Sequence, residues 1–217
     1  MFYPIVGSMQ AQPDSPTPPE PTLPKGEMRR RALLDAALRV IAESGVEAVT
    51  HRRVAEAAGV SRGTTTYHFA SRDEIVLEAF RHYIATVATK LPTTLDDLLR
   101  ANEGALLDFL VRFQQREFLD PELILAEYEL ILYAARNETL GREYRAWESG
   151  LLGHLASALE VEGAPRPMRA ARLVMGIYRA FELERLTHPE TDPEELRSRL
   201  QVLLPSLLAP PAEEGRP

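Results

Sequence analysis

Two short helical segments between Thr50 and Phe69 are separated by only Ala58-Gly59-Val60-Ser61, and this spacing limits the fold more than any other feature of the chain. Thr50 is a good N-cap for the first segment, whose buried side is Val54, Ala55 and Ala58. Gly59 stands where the backbone must take a positive φ, and Ser61 caps a second segment running through about Phe69. Helices joined by so short a turn cross steeply. Ahead of them, Leu33, Leu34, Ala37, Leu38 and Ile41 recur at steps of three and four with Gly45 as terminator, which predicts a further helix. Three helices in this order form a small helix-turn-helix unit.

The rest of the chain reads as helix as well. Ser71-Arg72-Asp73-Glu74 has the spacing of a capping box and opens a long helix through Ile75, Leu77, Ala79, Phe80, Tyr83 and Ile84 toward Pro92. Further helices are expected at 95–113, at 121–136 with Asp120 as cap, at 140–159 and at 167–186. Asp192-Pro193-Glu194-Glu195 then opens a last helix bearing Leu196, Leu200, Leu203, Leu204 and Leu207, stopped by Pro210 and Pro211. No segment alternates as a strand would, so the expected class is all-α: an N-terminal three-helix unit, then a larger helical domain. The expected divisions are 1–26 as a disordered proline-rich arm, 27–72 as the helix-turn-helix domain, 73–209 as the larger domain and 210–217 as a flexible tail. Met9 and Met28 are alternative starts.

Composition excludes several chemistries. The chain of 217 residues has no cysteine, so disulfides, thiolate nucleophiles and zinc-thiolate sites are absent. It shows neither a signal peptide nor an apolar run of membrane-spanning length, which makes the cytoplasm the expected location and a membrane an unexpected partner. The five histidines have no metal-ligand spacing, and there is no glycine-rich phosphate loop or GxSxG elbow, so no catalytic residue, metal or cofactor is assigned. The net charge of -7 is unevenly placed: from Lys25 to Arg72 there are nine basic and five acidic side chains, and from Asp73 onward sixteen and twenty-five. A basic head on an acidic body is compatible with DNA as well as with an ordinary solvated surface.

The stretch VTHRRVAEAAGVSRGTTTYHFASRDEIVLEAF, Val49 to Phe80, resembles the DNA-binding region of the TetR family of transcription regulators, the match covering roughly Met28 to Tyr83. The resemblance implies a ligand-responsive, sequence-specific regulator, in most members a repressor released from its operator by a small molecule. A recognition helix lays its N-terminal residues on base edges while its neighbours hold phosphates. Arg62 can reach guanine or a phosphate, Gly63 lets the backbone approach, and the methyls of Thr64 and Thr65 can meet a thymine methyl. Ser61, Thr50, His51, Arg52 and Arg72 lie at helix starts, where free amides favour a phosphate. Family members often carry leucine then tyrosine where this chain has Thr65 and Thr66; Tyr67 and His68 are the further DNA contacts the resemblance supports. Phe69 reads as a core plug, and Arg29, Arg30 and Arg31 as either solvated charge or a basic arm in the minor groove.

Family members pair through two late helices, which the resemblance places at 140–159 and 167–186, making a homodimer the expected assembly. An effector pocket is expected between the middle helices. Asn102 and Glu127 fall on apolar stripes there, and a buried polar group needs a partner. Phe109, Phe113, Tyr128, Trp147, Met175 and Tyr178 are the candidate walls. Entry of ligand is expected to shift the helix from Arg72 to about Lys90 and so change the spacing of the two recognition helices. An enzyme and a helical adaptor are the competing classes; steep salt dependence of DNA binding separates a regulator from an adaptor.

Overall fold

The computed structural model describes residues 24–90, 105–117 and 120–209. Among these, nine α-helices and one short 3-10 turn account for the regular structure, and there is no strand. The expectation of an all-α fold is met.

Helix α1 (Lys25–Ser44) buries Leu33, Leu34, Ala37, Leu38 and Ile41, together with Ala36 and Val40. Gly45 ends it with φ 76°, its N–H bonded to the Ile41 carbonyl at 2.8 Å, and the 3-10 turn Val46–Ala48 follows. Helix α2 (His51–Ala57) begins where Thr50 Oγ1 accepts the Arg53 N–H at 3.1 Å. Gly59, at φ 65°, turns the chain into α3 (Arg62–His68). Ser61 stands at the N-cap of α3 without capping it, since its hydroxyl pairs with that of Thr64 at 3.1 Å.

Helix α4 (Arg72–Lys90) opens with the anticipated reciprocal cap: Ser71 Oγ accepts from the Glu74 N–H at 3.1 Å, and the Glu74 carboxylate reaches back to the Ala70 N–H at 2.6 Å. The next helix, α5, is described from Ala105 to Glu117, four residues past the end expected from Phe113. Asp120 caps α6 (Pro121–Ala134) through Leu123 N at 3.2 Å, with Pro121 in the first turn. Asn137 caps α7 (Glu138–Val161) through Leu140 N at 2.9 Å, so this helix is longer than 140–159. Helices α8 (Pro167–Thr187) and α9 (Glu194–Leu208) complete the chain; Pro205 lies inside α9, and Pro210 and Pro211 fall outside the described residues.

Two apolar clusters organise the packing. The first joins α1 to α4 with α6 and the start of α7, through Phe69, Ile75, Phe80, Ala126, Leu130 and Leu140. The second joins α5, α7, α8 and α9. Helix α1 packs directly on α4 and α6, so the core runs without a break past Arg72. Among the described residues no helix is long and apolar enough to cross a membrane.

Candidate functional site

Helix α3 is held from behind. Phe69, 1% exposed, plugs the first core beneath it, and Arg30 lies over the Phe69 ring at 5.3 Å while pairing with Glu78 at 2.5 Å. Arg39 bonds the Ala57 carbonyl at the end of α2, and Arg53 bonds Ser44 Oγ. These contacts leave the outer side of α3 free. Tyr67 is 86% exposed, an unusual setting for an aromatic side chain, and its ring stands edge-on to His68 at 5.2 Å.

Ser61, Arg62, Gly63 and Thr66 are exposed and Thr64 half-buried on the same segment, which carries no acidic residue. A Cβ added at Gly63 would meet nothing nearer than Ser61 Oγ at 3.8 Å, so the backbone there is open to close approach. Thr50 and Arg52 are exposed and His51 half-buried at the start of α2, with Arg52 3.8 Å from Glu56. A shallow groove runs between α3 and the N-terminus of α1, lined by Lys25, Arg29, Thr64, Tyr67 and His68. Lys25 was not anticipated as part of this surface, because it precedes the apolar periodicity of α1.

Two expected DNA contacts are corrected. Thr65 is fully buried, facing the core one helical turn before Phe69, and its methyl cannot touch a base. Arg72 is turned inward. Its guanidinium donates to the Val46 carbonyl at 3.0 Å and to Glu47 at 2.8 Å, and it lies 5.7 Å from the Tyr133 ring centroid, so its donors are committed within the fold. The three adjacent arginines near the start of α1 also separate: Arg30 is structural, whereas Arg29 and Arg31 are exposed.

A cavity of about 590 Å³ lies between α4, α5, α6, α7 and α8. Phe109, Phe113, Glu127, Trp147, Met175 and Tyr178 all line it. The aromatic residues are in mutual contact: Phe109 stacks on Phe113 at 5.7 Å, Phe113 meets Tyr178 at 6.4 Å, and Tyr83 meets Trp147 edge-on at 5.9 Å. Tyr128 stands behind the wall, its hydroxyl shared between Glu182 Oε2 at 2.9 Å and the Arg179 carbonyl at 3.2 Å. Asn102 lies outside the described residues.

Sequence reasoning missed Glu117, Glu182 and Arg179, which also face the cavity. The signal was present, since Glu182 continues the buried stripe Val174 and Tyr178, as Glu117 continues Phe109 and Phe113. Tyr83 donates to Glu127 and Tyr178 to Glu117. Burial, and then the neighbouring carboxylates, push both of these phenols well above the ordinary tyrosine range. Burial also raises Glu127, against the Tyr83 hydrogen bond and the Arg179 charge; it raises Glu182 further, with repulsion from Glu117 and Glu127 adding to it. Arg179 donates to Tyr144 at 2.8 Å and lies 3.7 Å from Glu148, while burial of Tyr144 carries that phenol up to about 12.

Residues 33–79 match a family described as bacterial regulatory proteins, tetR family, and residues 101–206 match one described as tetracyclin repressor-like, C-terminal domain. The HTH-type transcriptional regulator BetI of Rhizobium meliloti is 32% identical over 163 residues, covering 70% of this chain and 76% of that protein. The multidrug binding protein EbrR, solved with ethidium, is 29% identical with a TM-score of 0.62, over 81% of this chain and 97% of EbrR; it has also been solved with proflavin. A TetR-family regulator from Mesorhizobium loti, 20% identical, shares the fold with a TM-score of 0.72 over 86% of this chain and 98% of its own.

Proposed function

Since the chain belongs to the TetR family of DNA-binding transcriptional regulators, we propose that it is a repressor that grips an operator through paired recognition helices and releases it when a small molecule fills the cavity. The observation that carries this reading is the outer side of α3: a helix start with Arg62, Gly63, Thr64, Tyr67 and His68 presented outward, no acid on it, and an aromatic ring 86% exposed. Arg62 and the hydroxyls read base edges, and Tyr67 and His68 extend the contact along the groove. Thr50, His51, Arg52 and Ser61 hold phosphates at the starts of α2 and α3. Lys25 and Arg29 follow the backbone beside them.

The cavity is the effector site. Its volume falls within the range of ligand pockets, and the EbrR complexes with ethidium and proflavin support small-molecule occupancy in a relative of this chain. Helix α4 connects the two ends: Tyr83, Ile84 and Val87 stand in the cavity wall, and Ser71 and Arg72 at its other end adjoin the three-helix unit. A ligand that displaces Tyr83 moves α4 and with it the recognition helix.

Pairing uses the outer faces of α7 and α8. On α8 the exposed stripe Leu173, Gly176, Ala180 and Leu183 is apolar or small, and on α7 a Cβ at Gly153 would meet only open space. Such faces let two helices approach closely. Dimers of this kind read half-sites about 34–36 Å apart, so a shift of a few ångströms spoils one half-site.

Selection of genomic fragments on the purified protein identifies the operator. Against that duplex, Arg62→Ala and Tyr67→Ala each weaken binding by about 1–3 kcal/mol with the dimer intact. Unchanged affinity in both variants removes α3 from the DNA. Tighter operator binding in the presence of effector would overturn release by the small molecule.

A further inference from the structure

Within the cavity the acidic groups outnumber the basic ones. Glu117, Glu127 and Glu182 face it from α5, α6 and α8, and Arg179 is the one guanidinium among the described lining residues. That guanidinium is drawn to α7, where Tyr144 and Glu148 hold it. Glu127 and Glu182 are 8% and 4% exposed, and neither forms a salt bridge among the described residues. Each has a single hydrogen bond, from Tyr83 and Tyr128 respectively, which occupies one carboxylate oxygen. No further hydrogen bond to either carboxyl group is found among the described residues, and both residues line the cavity, where Arg179 Nε is a buried donor without a partner. A carboxylate so deeply buried is costly unless a positive charge or a donor meets it. The remaining walls are the rings of Tyr83, Trp147, Phe113 and Tyr178, whose faces attract cations.

We propose that the effector is a hydrophobic organic cation, its charge held between Glu127 and Glu182 and its apolar body lying against Trp147 and Phe113. This rests on the reading of the cavity as the effector site. An anion would lie against three carboxyl groups, and a neutral apolar ligand would cover Glu127 and Glu182 while offering neither a donor nor a charge. Burial holds the empty site toward its protonated, neutral form, and an arriving cation draws out the ionised form. Cation binding is therefore coupled to proton release and tightens as pH rises. The groups that set this coupling are Tyr83 from α4, Glu117 from α5, Tyr128 from α6, and Tyr178 with Arg179 from α8. From α7, Tyr144 and Glu148 hold the arginine and His154 stands at the exposed edge of the cavity.

Tetraphenylphosphonium and tetraphenylborate, near-identical in size and opposite in charge, separate charge from shape. Calorimetric titration of the full chain is expected to show the phosphonium bound at least about tenfold more tightly than the borate, with Glu127→Gln and Glu182→Gln each weakening the phosphonium on the order of tenfold and sparing the borate. Melting by circular dichroism confirms that the variants fold. If they do not, the rise of phosphonium affinity with pH in the unaltered chain is the second readout. Equal binding of the two probes, binding of neither, or a pH-independent phosphonium affinity overturns the cation site. Operator affinity measured with each probe tests the underlying reading separately. Phosphonium binding without operator release leaves the cation site standing and removes the effector role, whereas release by the borate alone does the reverse.

Discussion

Thr65 carries a hydroxyl into a fully buried position where no partner receives it. The residue lies on the buried side of α3, one turn before Phe69. A buried hydroxyl without a hydrogen bond costs about 1–2 kcal/mol. Thr65→Val keeps the shape and removes that cost, so thermal melting is expected to rise by a few degrees with operator affinity unchanged. A fall in melting temperature would mean that the hydroxyl has a stabilising partner. Glu182 is the opposite case, a costly group with a proposed use. Its pKa in the folded chain lies well above the ordinary 4.5 because burial, then Glu117 and Glu127, disfavour its charge. A pKa raised by folding contributes stability that is complete below the unfolded value and is lost as pH rises through the folded one. Glu182→Gln is therefore expected to melt like the parent near pH 4.5 and above it at about pH 8, at roughly 2–4 °C per kcal/mol recovered. Melting curves that stay superimposed across that range would show that Glu182 ionises without penalty.

At the scale of the element, α4 has the greatest consequence. Its N-terminus is tied by Arg72 to the 3-10 turn after α1 and to Tyr133 on α6. Farther along, Glu78 joins Arg30 on α1 to Arg81, which reaches Glu143 on α7 at 2.6 Å. His82 adds a contact to Asp35 on α1 at 2.6 Å. Helix α4 is thus joined to α1 and α6 by short polar contacts as well as by packing. Arg72→Ala is expected to cost about 1–2 kcal/mol of stability while leaving the salt dependence of operator binding unaltered. A slope shallower by about 0.9 in the variant would put Arg72 back on a phosphate.

For the whole molecule, on the proposed reading, the basic head and acidic body orient the encounter with DNA and pairing sets the specificity. Leu183, 48% exposed on the outer face of α8, adjoins Gly176 and Ala180 on one stripe. Leu183→Glu is expected to yield a monomer by light scattering and to lose operator affinity by orders of magnitude, because a single half-site then carries the whole contact. A variant that remains dimeric would move the interface off this face. Helix α6 belongs to the first core through Ala126 and Leu130 and to the cavity wall through Glu127, so one helix both packs against the three-helix unit and lines the cavity.

Periodicity and capping residues alone determined the helical class, the helix-turn-helix and most element ends, because Thr50, Gly59, Asp120 and the Ser71–Glu74 box act on backbone groups within a few residues of themselves. They also pointed to Phe69 as a core residue and to the aromatic residues now found around the cavity. What only the tertiary structure decided is the direction in which each side chain faces. Thr64 and Thr65 are chemically identical neighbours, and a helix rotates them by about 100°, so one lies at the surface and the other in the core. Arg72 and Arg62 are likewise both cations at helix starts, and the positions of Val46, Glu47 and Tyr133, distant in sequence, draw the first inward. The convergence of Glu117, Glu127 and Glu182 on one cavity follows from the packing of three helices, and no local pattern in the chain encodes it.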